Sequence, residues 1–277
     1  MSSNLRWREV CRPPHSISFD ASKCCSPVGE VGVSPIDNYL RRTADIVLIG
    51  APDSIAKNSS LGRLILLGVV SEVESFFKQV LGGCVRLCNS CRRSASSHVI
   101  PFAAVDYYEN DDIEYALVES ISFATNGEIV RQTKKLTGLD LGSSPELKTA
   151  VQQFDHVCHL RHAAVHASGI LGTGNIREIS RESRMKLQVD LQFAEIQTIV
   201  AICHNLVREY NRALYSKVID RWLDDKLLKG DWQVDRNQFA PVFQLFHSVE
   251  DSCGPSNAYN AYRSLRPTLL RRLSGPA

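Results

Sequence analysis

The sequence predicts an all-α fold, and three observations predict it. Apolar residues recur at three- and four-residue steps through 59–83, 143–169 and 183–223. Ser143-Ser144-Pro145-Glu146 is a strong helix start, with a serine cap, a proline in the first turn and a glutamate near the third position. Strand signals are sparse: Asp45-Ile46-Val47-Leu48-Ile49 is the best of them, and it is weak. The expected architecture is a bundle of four to five helices over 46–224, with irregular extensions at 1–45 and 225–277.

Taken in order, residues 1 to about 40 read as an irregular leader, because Pro13, Pro14, Pro27 and Pro35 interrupt a polar stretch. Helical patterning begins near Ser59-Ser60, a plausible cap. Leu61, Leu64, Ile65, Val69, Val73, Phe76, Phe77 and Val80 follow. Gly82-Gly83 reads as the stop. The first half of this helix is apolar nearly all round, which predicts a buried central position. A cysteine-bearing connector leads to shorter helices at about 112–123 and 127–136. Lys134-Lys135 falls in the last turn of the second, where cations suit the helix dipole. The helix from Ser144 carries Leu147, Val151, Phe154, Cys158 and Val165, and is expected to end at Gly169 or Gly172. The last long helix begins between 183 and 187 and reaches 223 or 229. Beyond Gly230 the chain reads as irregular, closing on a basic tail.

Composition narrows the function. The chain has 277 residues, 44% of them hydrophobic and 22% charged, which excludes a largely disordered chain and a coiled-coil rod. That length suits one large domain with extensions, or two small ones. Lys+Arg is 32 against Asp+Glu 30, too balanced for a protein that coats nucleic acid, so any RNA contact is local. The longest apolar run, 64–70, is far short of the ~20 residues a membrane span needs. The N-terminus lacks the apolar core of a signal peptide. Nine cysteines, an odd number with no export signal, read as reduced thiols, and the expected compartment is cytoplasmic.

The chemistry concentrates in Leu160-Arg161-His162-Ala163-Ala164-Val165-His166. Arg161 and His166, five apart, lie about 140° apart around a helix, on one flank rather than stacked. Arginine clamps phosphate and stabilises charge developing in a transition state. Histidine takes or gives a proton near neutral pH. By themselves an arginine and a histidine so spaced also fit a solvated helix surface.

The string Arg161-His162-Ala163-Ala164-Val165-His166, with Cys158 before it and Gly169 after it, resembles the signature of the HEPN superfamily: arginine, a polar residue, a short spacer and histidine. Glu72 and Glu74 ahead of Phe76-Phe77 resemble the first helix of stand-alone members. The resemblance covers roughly 46–224. It implies a helical bundle that dimerises and sets two motifs in one composite cleft. It also implies metal-independent RNA cleavage by the ribose 2′-hydroxyl, leaving a 2′,3′-cyclic phosphate and a 5′-hydroxyl. Arg161 would stabilise the phosphorane, His166 would act as acid or base, and His162 would orient the pair or touch RNA. No cofactor is implied. Many such proteins are toxins or antiviral effectors, so an antitoxin or regulatory partner is an expectation, and no membrane partner is. Other members only bind, so a non-catalytic nucleotide-binding or interaction module is the alternative.

Three further patterns stand beside this one. Asp155, His159, His162 and His166 share a helix face at metal-binding spacing, or form a polar face toward a cleft. Cys84-x3-Cys88-x2-Cys91 has the spacing of the radical SAM cluster motif, but the strand–helix alternation of that fold is absent. With His98 or another cysteine as the fourth ligand the three cysteines would make a structural zinc site; free thiols are the other reading. Arg177, Arg181 and Arg184, close after the motif helix, are candidates to guide RNA, as Arg92-Arg93 and Lys134-Lys135 are, against a plain solvated surface.

Overall fold

The computed structural model describes residues 10–12, 15–27, 32–108, 112–125, 127–179 and 185–274. Two compact units emerge, 1–32 and 33–277. In the first, a short 3-10 turn, Ala21–Cys24, is capped by the Asp20 side chain and is exposed throughout.

The second unit is all-α; among the described residues it has no strand, only the isolated bridge between Ile170 and Gln188. Its helices are α1 (Pro35–Leu48), α2 (Pro52–Lys57), α3 (Ser59–Leu87), α4 (Asn89–Ala95), α5 (Phe102–Tyr108), α6 (Glu128–Thr137), α7 (Pro145–His166), α8 (Thr173–Ile179), α9 (Phe193–Asp224), α10 (Trp232–Phe246) and α11 (Ala258–Ser274). No described helix is long and apolar enough to cross a membrane.

Apolar burial organises the unit around α3. Val69, Val70, Val73, Phe76, Phe77, Val80 and Leu81 are fully or almost fully buried there. Helices α1, α7, α9 and α10 pack against it. Phe77 stacks on Phe123 with ring centroids 5.2 Å apart and meets Tyr210 of α9 edge-on at 4.7 Å. Such pairs add about 0.5–1.5 kcal/mol to the burial itself. The Tyr210 hydroxyl shares a 2.6 Å hydrogen bond with Thr133 of α6, so the phenol enters the core with its polar end matched.

Several boundaries differ from the sequence expectation. Pro35 does not break the chain; it occupies the first turn of α1, and Ser34 Oγ accepts from the Asp37 backbone N–H at 3.3 Å. A proline in that position loses nothing, since its missing N–H has no intrahelical acceptor. The weak strand candidate 45–49 lies almost wholly in that helix. Asn58, not a serine, caps α3, accepting from Ser60 N at 3.1 Å. Gly82 and Gly83 do not end α3, which runs four residues further. At Gly83 a Cβ would collide with the Leu245 side chain, so the missing side chain lets α10 approach. Part of the stretch expected as a helix over 112–123 is only a 3-10 turn, Ile113–Leu117. α9 starts at Phe193 rather than 183–187.

The largest correction concerns 225–277. Its described part, 225–274, holds α10 and α11 and contributes Phe239, Val242, Phe246, Tyr262 and Leu269 to the core. Buried Asp235 fastens it. Its carboxylate accepts from Lys229 N at 2.9 Å, from Gly230 N at 3.0 Å and from the Tyr262 hydroxyl. At the other end, Asn211 of α9 donates to the Phe246 carbonyl at 2.7 Å. Asp37 of α1 accepts from Ser248 Oγ and Val249 N, at 2.5 and 3.0 Å. The 46–224 bundle boundary therefore cuts through continuous packing at both ends, within α1 and at the end of α9.

Candidate functional site

The motif lies at the C-terminal end of α7, a helix whose start the sequence announced. Ser144 Oγ accepts from Leu147 N at 3.2 Å, and Pro145 fills the first turn. Leu147, Ala150, Phe154, Val157, Cys158 and Ala163 face the core. Burial pushes the Cys158 thiol up, which leaves it a neutral packing group. The opposite face carries the histidines outward.

α7 stops at His166 in a tight turn, short of Gly169. Ser168 and Gly169 both have positive φ, 52° and 93°. The Ala163 carbonyl accepts from Ala167 N at 3.1 Å and from Gly169 N at 2.9 Å. Arg63 of α3 donates to the Ser168 carbonyl at 2.8 Å, and Gln188 does so at 3.2 Å. A Cβ on Gly169 would stand 2.6 Å from Arg63 Nη1. The end of the motif helix is thus tied to α3 and to the chain entering α9.

Within that frame the motif residues take different surroundings. Arg161 is partly buried, with its side chain 32% exposed, and its Nη2 lies 4.0 Å from Glu74 Oε2 on α3. Glu74 is held in place, because its other oxygen accepts from Ser122 Oγ and Phe123 N, each at 2.8 Å. Arg161 makes no hydrogen bond among the described residues. His162 and His166 are exposed, and their rings lie 4.6 Å apart at 48°. No described contact joins Arg161 to His166. Arg161 turns to α3, whereas the two histidines pair with each other, in keeping with the 140° separation. Glu74 was visible in sequence only through the family resemblance, and its contact with Arg161, 87 residues on, had no local signal.

The remaining predicted residues are distributed as follows. His159 Nδ1 bonds Asn175 Oδ1 at 3.1 Å and its Nε2 lies 3.7 Å from Asp155, so it serves the α7–α8 contact. Arg177 is exposed on α8. Arg181 and Arg184 lie outside the described residues. Among the described residues no three His, Cys, Asp or Glu side chains gather as a metal site. That finding covers the histidine face and the set Cys84, Cys88, Cys91 and His98. His98 instead bonds the Ala95 carbonyl through Nδ1 at 3.1 Å.

A cavity of about 590 Å³ opens away from the motif, between α9, α10 and the 248–254 turn. Its wall mixes Tyr215, Phe243 and Phe246 with the ion pairs Arg208–Asp251 and Arg212–Glu209. None of the motif residues lines it.

The arrangement at the α7 tip offers the Arg161 cation, loosely held by a fixed carboxylate, and two adjacent imidazoles open to solvent. A phosphodiester could be clamped by the first and exchange protons with the second. Comparison with protein-family models, with curated proteins and with solved structures found no match.

Proposed function

We propose that this chain is a HEPN-type, metal-independent endoribonuclease that works as a homodimer. The observation that carries the reading is the contrast within the motif: His162 and His166 stand paired and exposed, while Arg161 makes no hydrogen bond among the described residues and lies beside Glu74. Arg161 and His166 of one chain do not meet. A two-fold assembly that brings two α7 tips together supplies the missing juxtaposition, with the arginine of one copy facing the histidine of the other.

In that cleft Arg161 binds the scissile phosphate and stabilises the charge that builds on its oxygens. His166 takes the proton of the ribose 2′-hydroxyl, or gives one to the departing 5′-oxygen. His162 fixes the ring of His166 by packing against it at a tilt. The products are a 2′,3′-cyclic phosphate and a 5′-hydroxyl, and no metal takes part. Arg177, Arg181 and Arg184 guide the RNA backbone toward the cleft. The roles the resemblance suggests are a toxin or an anti-phage effector held in check by an antitoxin or regulator, acting in the cytoplasm.

Complementation tests the composite site. Arg161→Ala and His166→Ala chains are each inactive alone. Mixed after dissociation, they recover roughly a quarter of wild-type cleavage, since half the random dimers are mixed and each holds one intact site. No recovery, with mixed dimers shown by mass, contradicts the composite reading.

One observation favours a second reading, a helical nucleotide-binding or protein-interaction module: Glu74 already neutralises Arg161 in part. Binding of RNA without cleavage at any protein concentration supports it.

A further inference from the structure

A second arginine meets three thiols where the end of α3, the start of α4 and the last turns of α9 converge. Cys84, Cys88 and Cys91 are 2%, 1% and 0% exposed. Arg221 Nη2 donates to Cys91 Sγ at 2.9 Å and to Cys88 Sγ at 3.4 Å, while Nη1 donates to the Thr137 carbonyl of α6 at 2.7 Å. The Trp222 indole N–H donates to Cys88 Sγ at 3.4 Å. Among the described residues no carboxylate pairs with Arg221. A guanidinium keeps its charge in proteins, and a partly buried one without a carboxylate needs another anion. The anion available here is a thiolate within the Cys88–Cys91 pair: the guanidinium lies nearer Cys91, while Cys88 is the sulfur that accepts from both Arg221 and Trp222.

The shifts agree with this geometry. The hydrogen bond from the Cys91 thiol, opposed by burial and helped by Trp222 and Arg221, holds Cys88 down to about 5. Giving that bond pushes Cys91 up, and burial pushes Cys84 up. The charged or titratable groups facing the pair are Cys84 of α3, and Arg221 and Tyr210 of α9; α6 presents the Thr137 carbonyl. Cys88 is the extended cap residue of α4 and Cys91 lies in its first turn, with both sulfurs on the one Arg221 nitrogen, which sets the two sulfurs side by side.

We propose that Cys88 and Cys91 are a redox-active dithiol that hydrogen peroxide converts to an intramolecular disulfide. The near-complete burial of both sulfurs selects a small oxidant. The Cys88 thiolate attacks one peroxide oxygen; an S–O bond forms, the O–O bond breaks, and hydroxide leaves, taking a proton from solvent to become water. Cys91 then gives up its proton and attacks the Cys88 sulfur. The S–S bond forms, the S–O bond breaks, and the oxygen leaves with that proton and its own as a second water. Two thiol sulfurs are oxidised by two electrons, and the peroxide is reduced to two waters. Arg221 loses its countercharge in the product, so oxidation loosens the α4–α9 contact. This proposal is independent of RNA cleavage.

The test uses the full chain with exposed Cys11, Cys24, Cys25 and Cys253 changed to serine. Hydrogen peroxide at pH 7 is expected to remove two hydrogens, about 2 Da by intact mass, and peptide mapping to find a Cys88–Cys91 bond. The oxidation rate should be half-maximal near pH 5 and level above it. Amide exchange in α4 should rise on oxidation. Arg221→Gln should slow the reaction at pH 7 at least tenfold, whereas Arg221→Lys should keep it within about threefold. Cys91→Ser should trap a sulfenic acid on Cys88, read as a dimedone adduct. These last two variants decide the matter if Arg221→Gln does not fold. No Cys88–Cys91 bond in folded protein at excess peroxide overturns the proposal. So does a rate that climbs only toward pH 9, as an ordinary thiol's would.

Discussion

Arg161 and Arg221 both project from long helices toward ionisable neighbours, and their surroundings differ. Arg161 stands at a helix end beside a carboxylate 4.0 Å away, with two exposed histidines nearby. Arg221 is partly enclosed, bonded to a carbonyl and two thiols, with no carboxylate among the described residues. An arginine in the first setting has donors to spare for a ligand. In the second, the donors are committed to the fold, and the charge acts on its neighbours by holding a thiolate. On the readings proposed above, the difference separates a residue placed to bind from one placed to hold and to tune.

The largest expected effect is on chemistry at the first site. His166→Ala should lower RNA cleavage by roughly 100- to 10,000-fold, with unfolding free energy changed by no more than about 0.5 kcal/mol, because the ring is exposed. Chemical denaturation beside a cleavage assay measures both. Large destabilisation would erase the contrast with Arg221.

The second arginine should show the reverse. Arg221→Leu is expected to cost about 2 kcal/mol in urea unfolding, less than the ~3–5 kcal/mol of a fully buried pair because Arg221 is partly exposed. RNA cleavage at matched folded fraction should be unchanged.

The pH dependence of stability sharpens the same point. Cys88 is held down to about 5 in the folded chain, against 9.0 for a free thiol. Between those values the folded state lacks a proton that the unfolded state holds, so this group adds stability as pH rises from about 5 to 9 and loses it as pH falls. Cys91 and Cys84, pushed up, act in the opposite sense only above pH 9. Cys88→Ser should flatten the rise in unfolding free energy between pH 5.5 and 8, about the range in which the wild type should gain.

Smaller effects belong to the frame of the α7 tip. Gly169→Ala meets a φ of 93° and Arg63 at 2.6 Å, and should cost about 1–2 kcal/mol. Glu74→Gln keeps an acceptor for Ser122 and Phe123, so its cost should stay within about 1 kcal/mol. It removes the charge beside Arg161 and should tighten RNA binding severalfold, read by fluorescence anisotropy at fixed salt.

Local signals were legible in the sequence, and distant ones were not. The serine–proline–glutamate start of α7 and the periodicity of α3 mark elements whose causes lie within a few residues. Pro35 and Gly82-Gly83 misled because the same residues serve as breakers or as helix parts. Which role they take depends on Ser34 in one case and on Leu245, 162 residues later, in the other. The region after Gly230 looked irregular because Asp235, Asn211 and Asp37 fasten it through contacts that only the folded chain makes. The motif residues were legible as a string, but the pairing of Arg161 with Glu74 was not. Cys88-x2-Cys91 was legible as a spacing. Arg221, 130 residues beyond Cys91, gives that spacing a guanidinium partner that no local signal announced.

The most direct test incubates purified protein with end-labelled RNA in EDTA, wild type beside Arg161→Ala/His166→Ala. Cleavage is expected from the wild type alone, with 2′,3′-cyclic phosphate and 5′-hydroxyl ends. Equal cleavage by both proteins, or none by a folded wild-type dimer on any RNA offered, would contradict it.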